Sequence, residues 1–599
     1  MHSRETRVYD GTELVIDRDL DHQVLHLEIE ENALPWDKLS QDPLAELVDA
    51  SNRDSPLDLF PTINEISGPG HEVFVSASIL AFKAKRFDEE VYAAIEHLCE
   101  RDRPGFLSKP TLMKKLMAEL SDRYDPEEPD PALVDAMGFI WLAAKLGGQE
   151  LAAGHNIHLA GNEHRKRFMA GTDGKPVGLY SQTLELRHIF RRDCFLGQPL
   201  NPQIATCLAS ALAEDPVLEK AYGDVLWLVS RLTSSFSQPP LPYSGSIQDD
   251  CRFFPQHPSI EIMLERLCRP SSSGEARPME KLVKAVRDGS IDLTTNNNSG
   301  WFDYLLHALE PLLKPESMPG AGRLVFGKRY RQHLEELFRG AVSMSREPHT
   351  RKQDYPAAQS SPRALDLAPR LSLEPLPEYY RRQARTYAYV REVLTDAFGE
   401  TLMSRSYTRA SRRLISNSLQ SHAILEEEEA LATRLTAMES LFSGAYYQTN
   451  AEMGHPVESL SGSERERLQD RLYFQNWLRS WRTDPHLRGD HRGMIPLVYD
   501  QKRKQIKVAV TLGFAQERLR VSYKETPSCT IMRSDGSPAE EVAAHWVPWC
   551  TELVYPITAV CYVDDLMGAE ELRHLCDTQP TSAAILNALE KHRLKPKKI

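Results

Sequence analysis

Between Met344 and Pro377 the hydrophobic periodicity that runs through the rest of this chain breaks off, and that break limits how the chain can be organised. Pro, Ser, Ala, Arg and Gln dominate the stretch, and six prolines remove amide donors that a helix would need. Segments with regular apolar spacing lie on both sides. Residues 344–377 therefore read as an exposed linker between separately packed parts. A length of 599 residues exceeds what one hydrophobic core usually organises, which agrees with several domains.

Ahead of the linker, residues 1–100 read as a mixed strand and helix module, with strands at Arg7 to Ile16, Gln23 to Glu30 and Glu72 to Leu80. Residues 101–343 read as a helical domain. Leu112, Met113, Leu116, Met117 and Leu120 recur at helical spacing behind Ser108 and Pro110. Asp130 with Pro131, and Asp215 with Pro216, pair a capping side chain with a proline that suits the first helical position. Further helices are expected at Met279 to Arg287, Trp301 to Leu313 and Lys328 to Phe338, and a strand at Val177 to Arg187.

Beyond the linker, residues 378–485 read as a helical bundle built from Glu378 to Phe398, Leu425 to Phe442 and Glu464 to Trp481. Residues 486–599 read as a small α+β domain. Met494 to Tyr499 precedes two alternating runs, Ile506 to Leu512 and Leu519 to Tyr523, which together predict an antiparallel meander. Val554 to Val563 adds a strand and Ser582 to Leu594 a closing helix. The expected fold class is multi-domain and predominantly α with α+β parts. Residues 1–343 should then fold without the rest, and 344–377 should be the most protease-sensitive segment.

Composition narrows the function classes. At 41% hydrophobic and 26% charged the chain is ordinary globular material. A net charge of -13 argues against coating nucleic acid or an anionic membrane over the whole surface, so any such binding is local. The first residues lack the apolar segment of a secretory signal, and no apolar run approaches membrane-spanning length. Nine cysteines without a C-x-x-C pair suit reduced thiols. A soluble, cytoplasmic protein without a cofactor or a membrane partner is expected.

Short motifs with catalytic resonance all lack a part. Tyr562-Val563-Asp564-Asp565 resembles the YxDD motif of reverse transcriptases, where paired carboxylates hold two metal ions, but Asp500, the nearest upstream candidate for the third carboxylate, lacks the aromatic five positions later that such a motif carries. Asp564 and Asp565 read instead as a strand exit. Asp17, Asp19, Asp21 and Glu28 have EF-hand spacing, yet His22 stands where the turn needs glycine. In GRLVFGKR, Gly322, Gly327 and Lys328 fit a phosphate-cradling loop, but Arg329 replaces the hydroxyl that would hold magnesium. Cys550, near Trp546 and Trp549, reads as core.

Two clusters remain as candidates. His155, His158 and His164 are the densest histidine group; their surroundings, GHNIHLAGNEHRK, read as a loop, and three imidazoles are a donor set for a divalent metal. Arg381, Arg382, Arg385, Tyr387, Arg391, Arg409, Arg412 and Arg413 interleave cations with aromatics, a pattern that in nucleic-acid binders meets phosphates and stacks on unpaired bases. The competing reading is a helix whose arginines lie along a bundle core and pair with acids such as Glu426 to Glu429. No compact catalytic signature is complete. The expected function is thus a non-enzymatic regulatory or scaffolding protein that binds protein partners through its two halves. Alternatives are a metal-dependent hydrolase at the histidines and an accessory nucleic-acid binder at 379–413.

Overall fold

A computed structural model of the chain describes residues 3–9, 12–18, 25–29, 73–170, 178–181, 183–234, 251–255, 278–318, 324–346, 371–399, 428–453, 464–483, 493–500, 505–523, 529–532, 538–542, 549–564, 569–579 and 582–591, with a few single positions between them. Helix predominates among these residues. The first group of helices is α1 (Ala77–Cys99), α2 (Lys109–Asp122), α3 (Pro131–Leu146), α4 (His155–Ala170), α5 (Leu184–Leu196), α6 (Pro202–Glu214) and α7 (Pro216–Leu232). There follow α8 (Pro278–Arg287), α9 (Trp301–Leu313), α10 (Lys328–Arg346), α11 (Pro377–Phe398), α12 (Glu428–Met453) and α13 (Glu464–Thr483), and near the end α14 (Ala569–Thr578) and α15 (Ser582–Lys591).

Capping chemistry explains where several of them start. Asp130 accepts from the Ala132 amide at 3.0 Å and Asp215 from that of Val217 at 2.8 Å, each followed by proline at the first helical position. Ser108 caps α2 in the same way, accepting from the Thr111 amide at 3.3 Å.

Four local expectations are corrected. The segment 155–164 is not a loop but the front of α4. Its glycine is a packing device: a Cβ on Gly161 would run into the Trp141 ring, and one on Gly138 would lie 2.7 Å from the Ala160 Cβ, so α3 and α4 approach at positions only glycine allows. The expected strand at Val177 to Arg187 is a 3-10 turn, Gly178–Ser181, followed by α5, which Thr183 caps through the Leu186 amide at 3.1 Å. Of Glu72 to Leu80 only Val73–Val75 is strand, since α1 begins at Ala77. The two alternating runs at 506–523 lie on one strand, Gln505–Tyr523, which pairs with Trp549–Val563 on both sides of a single register shift, where Ile557 faces Gly513 and Thr558 faces Thr511.

The strands are β1 (Ser3–Tyr9), β2 (Thr12–Arg18), β3 (Leu25–Ile29), β4 (Val73–Val75), β5 (Leu324–Phe326), β6 (Gly493–Asp500), β7 (Gln505–Tyr523), β8 (Cys529–Met532), β9 (Pro538–Val542) and β10 (Trp549–Val563). β7 and β10 form a long antiparallel pair from Trp549↔Val521 to Val563↔Ile506. On the other side of β7, β6 pairs with its first part and β3 with its last, Leu25↔Tyr523 to Ile29↔Leu519. β5 extends this sheet parallel to β3, and β4 parallel to β10. A second sheet has the order β1-β2-β8-β9. Both sheets thus draw strands from opposite ends of the sequence.

The same interleaving governs the helices. One continuous apolar cluster runs from Ala77 to Leu478 and includes residues on both sides of the 344–377 stretch. Leu371, Leu373 and Leu376 are buried in it, and Ser372 donates its amide at 2.9 Å and its hydroxyl at 2.5 Å to Glu452 of α12. Met344 to Arg346 belong to α10. Both ends of the expected linker are therefore structured, its final residues because three leucines supply an apolar anchor; residues 347–370 lie outside the described residues. Arg434 of α12 reaches Glu90 of α1 at 2.7 Å, and Arg382 of α11 reaches Glu310 of α9 at 2.8 Å. The boundaries drawn at residues 100 and 343 do not coincide with gaps in packing.

Candidate functional site

The arginine and tyrosine series lies on α11. Tyr379, Tyr380 and Tyr387 are fully buried, so their rings have no face to offer a base. Tyr387 packs on Phe87 and Phe442, with ring centroids at 5.5 and 5.9 Å, and Tyr389 stacks on Tyr304 at 4.1 Å while donating to the Ser299 carbonyl at 2.8 Å. Arg381 pairs with Glu378 at 2.8 Å, Arg382 with Glu378 and Glu310, both at 2.8 Å, and Arg391 with Glu439 at 2.6 Å. These acids differ from the expected Glu426 to Glu429, but the chemistry is that of arginines tying a helix to its neighbours. Arg385 is exposed. Arg409, Arg412 and Arg413 lie outside the described residues.

The three histidines share α4 without converging. At 100° per residue His164 lies 180° around the helix from His155. His155 is exposed at the helix start, His158 tilts against the Trp141 ring at 4.7 Å, and His164 directs Nε2 to Asp135 Oδ1 at 2.8 Å beside Phe139 and Phe195. Among the described residues no group of three or more His, Cys, Asp or Glu side chains is arranged to hold a metal ion.

Sequence reasoning missed three buried polar centres, all formed by residues distant in the chain. Glu374 is fully buried and accepts from the Ala77 amide at 2.8 Å and the Tyr330 hydroxyl at 2.7 Å, with His333 Nε2 at 3.3 Å. Burial opposes its charge, yet His333 and these hydrogen bonds win and hold the carboxyl below the ordinary glutamate range. It also faces the N-terminal end of α1, where the helix dipole favours an anion. Asp88 is the opposite case. Burial pushes its carboxyl up to about 7 against the Tyr387 hydroxyl, which donates to it at 3.0 Å, and against the Lys85 charge.

The third centre joins α1, α2 and α5. Lys109 lies 2.6 Å from Asp193 and 3.0 Å from Glu96; Arg192 grips Glu100 through both terminal nitrogens at 2.7 and 2.6 Å and places Nε 2.8 Å from Asp193. Tyr180 donates to Glu96 at 2.7 Å. Cys99 lies in the field of these charges, but burial pushes its thiol up to about 12, far from the thiolate that a nucleophile needs. Glu374 and Asp88 are buried in the core, whereas Glu96, Glu100 and Asp193 of the third centre keep 12–18% of their side-chain surface exposed; all three centres tie together helices that are distant in the chain.

No family model, curated protein or solved structure matches this chain.

The surface offers less than the core. A cleft of about 440 Å³ is lined by Val283, Lys284, Arg287, Asp288, Glu335 and Arg339, and Glu335 pairs with both Arg287 and Arg339. Asp564, the first carboxylate of the YxDD-like string, is exposed and accepts from Gln505 Nε2 at 3.0 Å, which ties the end of β10 to the start of β7. Among the described residues no helix is long and apolar enough to cross a membrane. Leu159, Met169, Leu184 and Val217 are exposed large apolar side chains, as are Leu468 and Leu472, which lie one turn apart on α13 at 57% and 48% exposure.

Proposed function

We propose that this chain is a non-enzymatic regulatory or scaffolding protein that binds protein partners, acting in the cytoplasm. One observation carries the reading. Leu468 and Leu472 form an apolar stripe on a helix whose opposite face is locked into the core by Phe474, Trp477 and Leu478. Adjacent exposed leucines on one face of a helix are the kind of anchors that a protein partner covers. Because the chain segments before 347 and after 370 share one core, the partner surfaces belong to one interlocked body.

The test is affinity capture from the native host with quantitative mass spectrometry, comparing the full chain with the L468D/L472D variant. A host protein recovered in stoichiometric amount with the full chain and depleted about tenfold with the variant is the expected result. Equal recovery by both, or no protein above background, would remove the reading.

A further inference from the structure

The outward side of α5 presents one leucine and three basic residues within two helical turns. Relative to Arg187 at 0°, successive residues at 100° place Arg191 at about 40°, Leu184 at about 60° and His188 at about 100° on the helical wheel. Leu184 is 65% exposed and Arg187 is exposed, while His188 and Arg191 are half-buried. No acid of α5 lies within this arc. Glu185, the nearest, stands at about 160° and lies 3.1 Å from His97 of α1. The helix cannot turn this side inward. Phe195 packs on Phe139 and Phe168 with ring centroids at 4.6 and 5.4 Å, and Arg192 grips Glu100. The His188 imidazole lies over Gly148 at the end of α3, where a Cβ would be 2.7 Å from its Nδ1.

Arg191 lacks a counter-charge. Half-buried arginines elsewhere, such as Arg123, Arg339, Arg382 and Arg391, each hold a carboxylate. Burial and the neighbouring Arg187 charge both draw Arg191 below the ordinary arginine range, and among the described residues no acid opposes them. His188 is lowered by burial and by Arg191, against a smaller pull from Glu185. Like charges one turn apart on a helix cost stability, and so does a half-buried guanidinium without a carboxylate. An anion from outside removes both costs. We infer that the outward side of α5 docks a short acidic segment of a protein partner, its carboxylates meeting Arg187 and Arg191 and an apolar side chain covering Leu184. This site is on a different helix from Leu468 and Leu472 and goes beyond the reading given for them. Leu184 selects a peptide over a nucleic acid: a leucine gains nothing from a phosphate backbone, and this side of α5 has no exposed aromatic ring on which a base could stack. The chain's charge of -13 also repels a long polyanion more than a short acidic segment. From Leu184 to Arg191 the helix rises about 10 Å, the length of about three residues of extended peptide.

Fluorescence anisotropy of a labelled peptide EELEE, titrated with the full chain at low salt, tests this. Saturable binding is expected, weaker by about tenfold for the peptide QQLQQ and for the R187Q/R191Q variant, and falling as salt rises. R187Q/R191Q should keep the circular dichroism spectrum of the wild type, L184D should also weaken binding, and L468D/L472D should bind as the wild type does. No saturable binding of EELEE, equal binding of QQLQQ, or equal binding by R187Q/R191Q would each overturn the inference. So would loss of binding in L468D/L472D, which would move the peptide to α13, or tighter binding of single-stranded oligo(dT) than of EELEE, which would assign the face to nucleic acid. None of these results touches the capture of a host protein through Leu468 and Leu472, so the two readings fail separately.

Discussion

Replacing Asp88 by asparagine should make the protein more stable, and increasingly so as the pH rises. Asp88 is buried on α1, and removal from water is the largest influence on its carboxyl, outweighing the hydrogen bond from Tyr387 and the Lys85 charge and raising it from 3.8 to about 7. A carboxyl that binds its proton more tightly when folded contributes its stability in full below 3.8 and loses it as pH rises through about 7. Across that window the cost of ionising the buried group reaches about 4 kcal/mol. Asparagine keeps an oxygen for the Tyr387 hydroxyl and cannot ionise. Urea unfolding followed by tryptophan fluorescence should find D88N ahead of wild type by about 2 kcal/mol near pH 5 and by about 4 kcal/mol near pH 8. A difference that stays constant with pH, or shrinks as pH rises, would refute the reasoning.

Two further substitutions probe the packing. Gly161→Ala puts a methyl group into the Trp141 ring and should cost about 1–3 kcal/mol in urea unfolding; no loss would mean that α3 and α4 are not in close contact. Arg192→Met leaves Glu100 and Asp193 without their buried guanidinium, which should cost about 3–5 kcal/mol. Adding Glu100→Gln should recover part of that loss, measured as a double-mutant cycle.

Local signals in the sequence were legible wherever one helix supplied its own instructions. Asp130-Pro131 and Asp215-Pro216 mark helix starts because the cap and the proline act within three residues of each other. Trp301–Leu313 could be read to the residue, since nine of its thirteen positions are buried apolar side chains in helical order. The failures share a cause. Gly161 looks like a loop residue because the Trp141 ring that requires it belongs to a different helix. The leucines at 371, 373 and 376 sit between prolines in too short a run to announce a period, and only the core around Glu374 explains them. Pairing of β3 with β7, and of Asp88 with Tyr387, joins residues hundreds of positions apart, which no local pattern encodes.

The candidate sites divide in the same way. The arginines of α11 were visible as cations, but their partners Glu310 and Glu439 were not, so an ion-paired helix resembled a nucleic-acid surface. The histidines at 155, 158 and 164 formed a cluster only along the sequence, and helical spacing separates their imidazoles. The stretch Glu464 to Trp481 was legible as a helix, but that Leu468 and Leu472 face outward on it follows only from the packing of α13.

Independent folding of residues 1–343 was the natural expectation from the proline-rich stretch, and it meets the interleaved core directly. If the segments before 347 and after 370 complete one another, residues 1–346 expressed alone expose the surfaces that α11 and α12 cover and leave Ala77, Tyr330 and His333 without Glu374. Differential scanning calorimetry of this fragment, alone and after co-expression with residues 371–599, is the most direct test. The fragment alone should give no cooperative transition, and the co-expressed pair should co-purify and melt as one unit near the temperature of the full chain. A cooperative transition of 1–346 alone at the full chain's melting temperature would contradict the account.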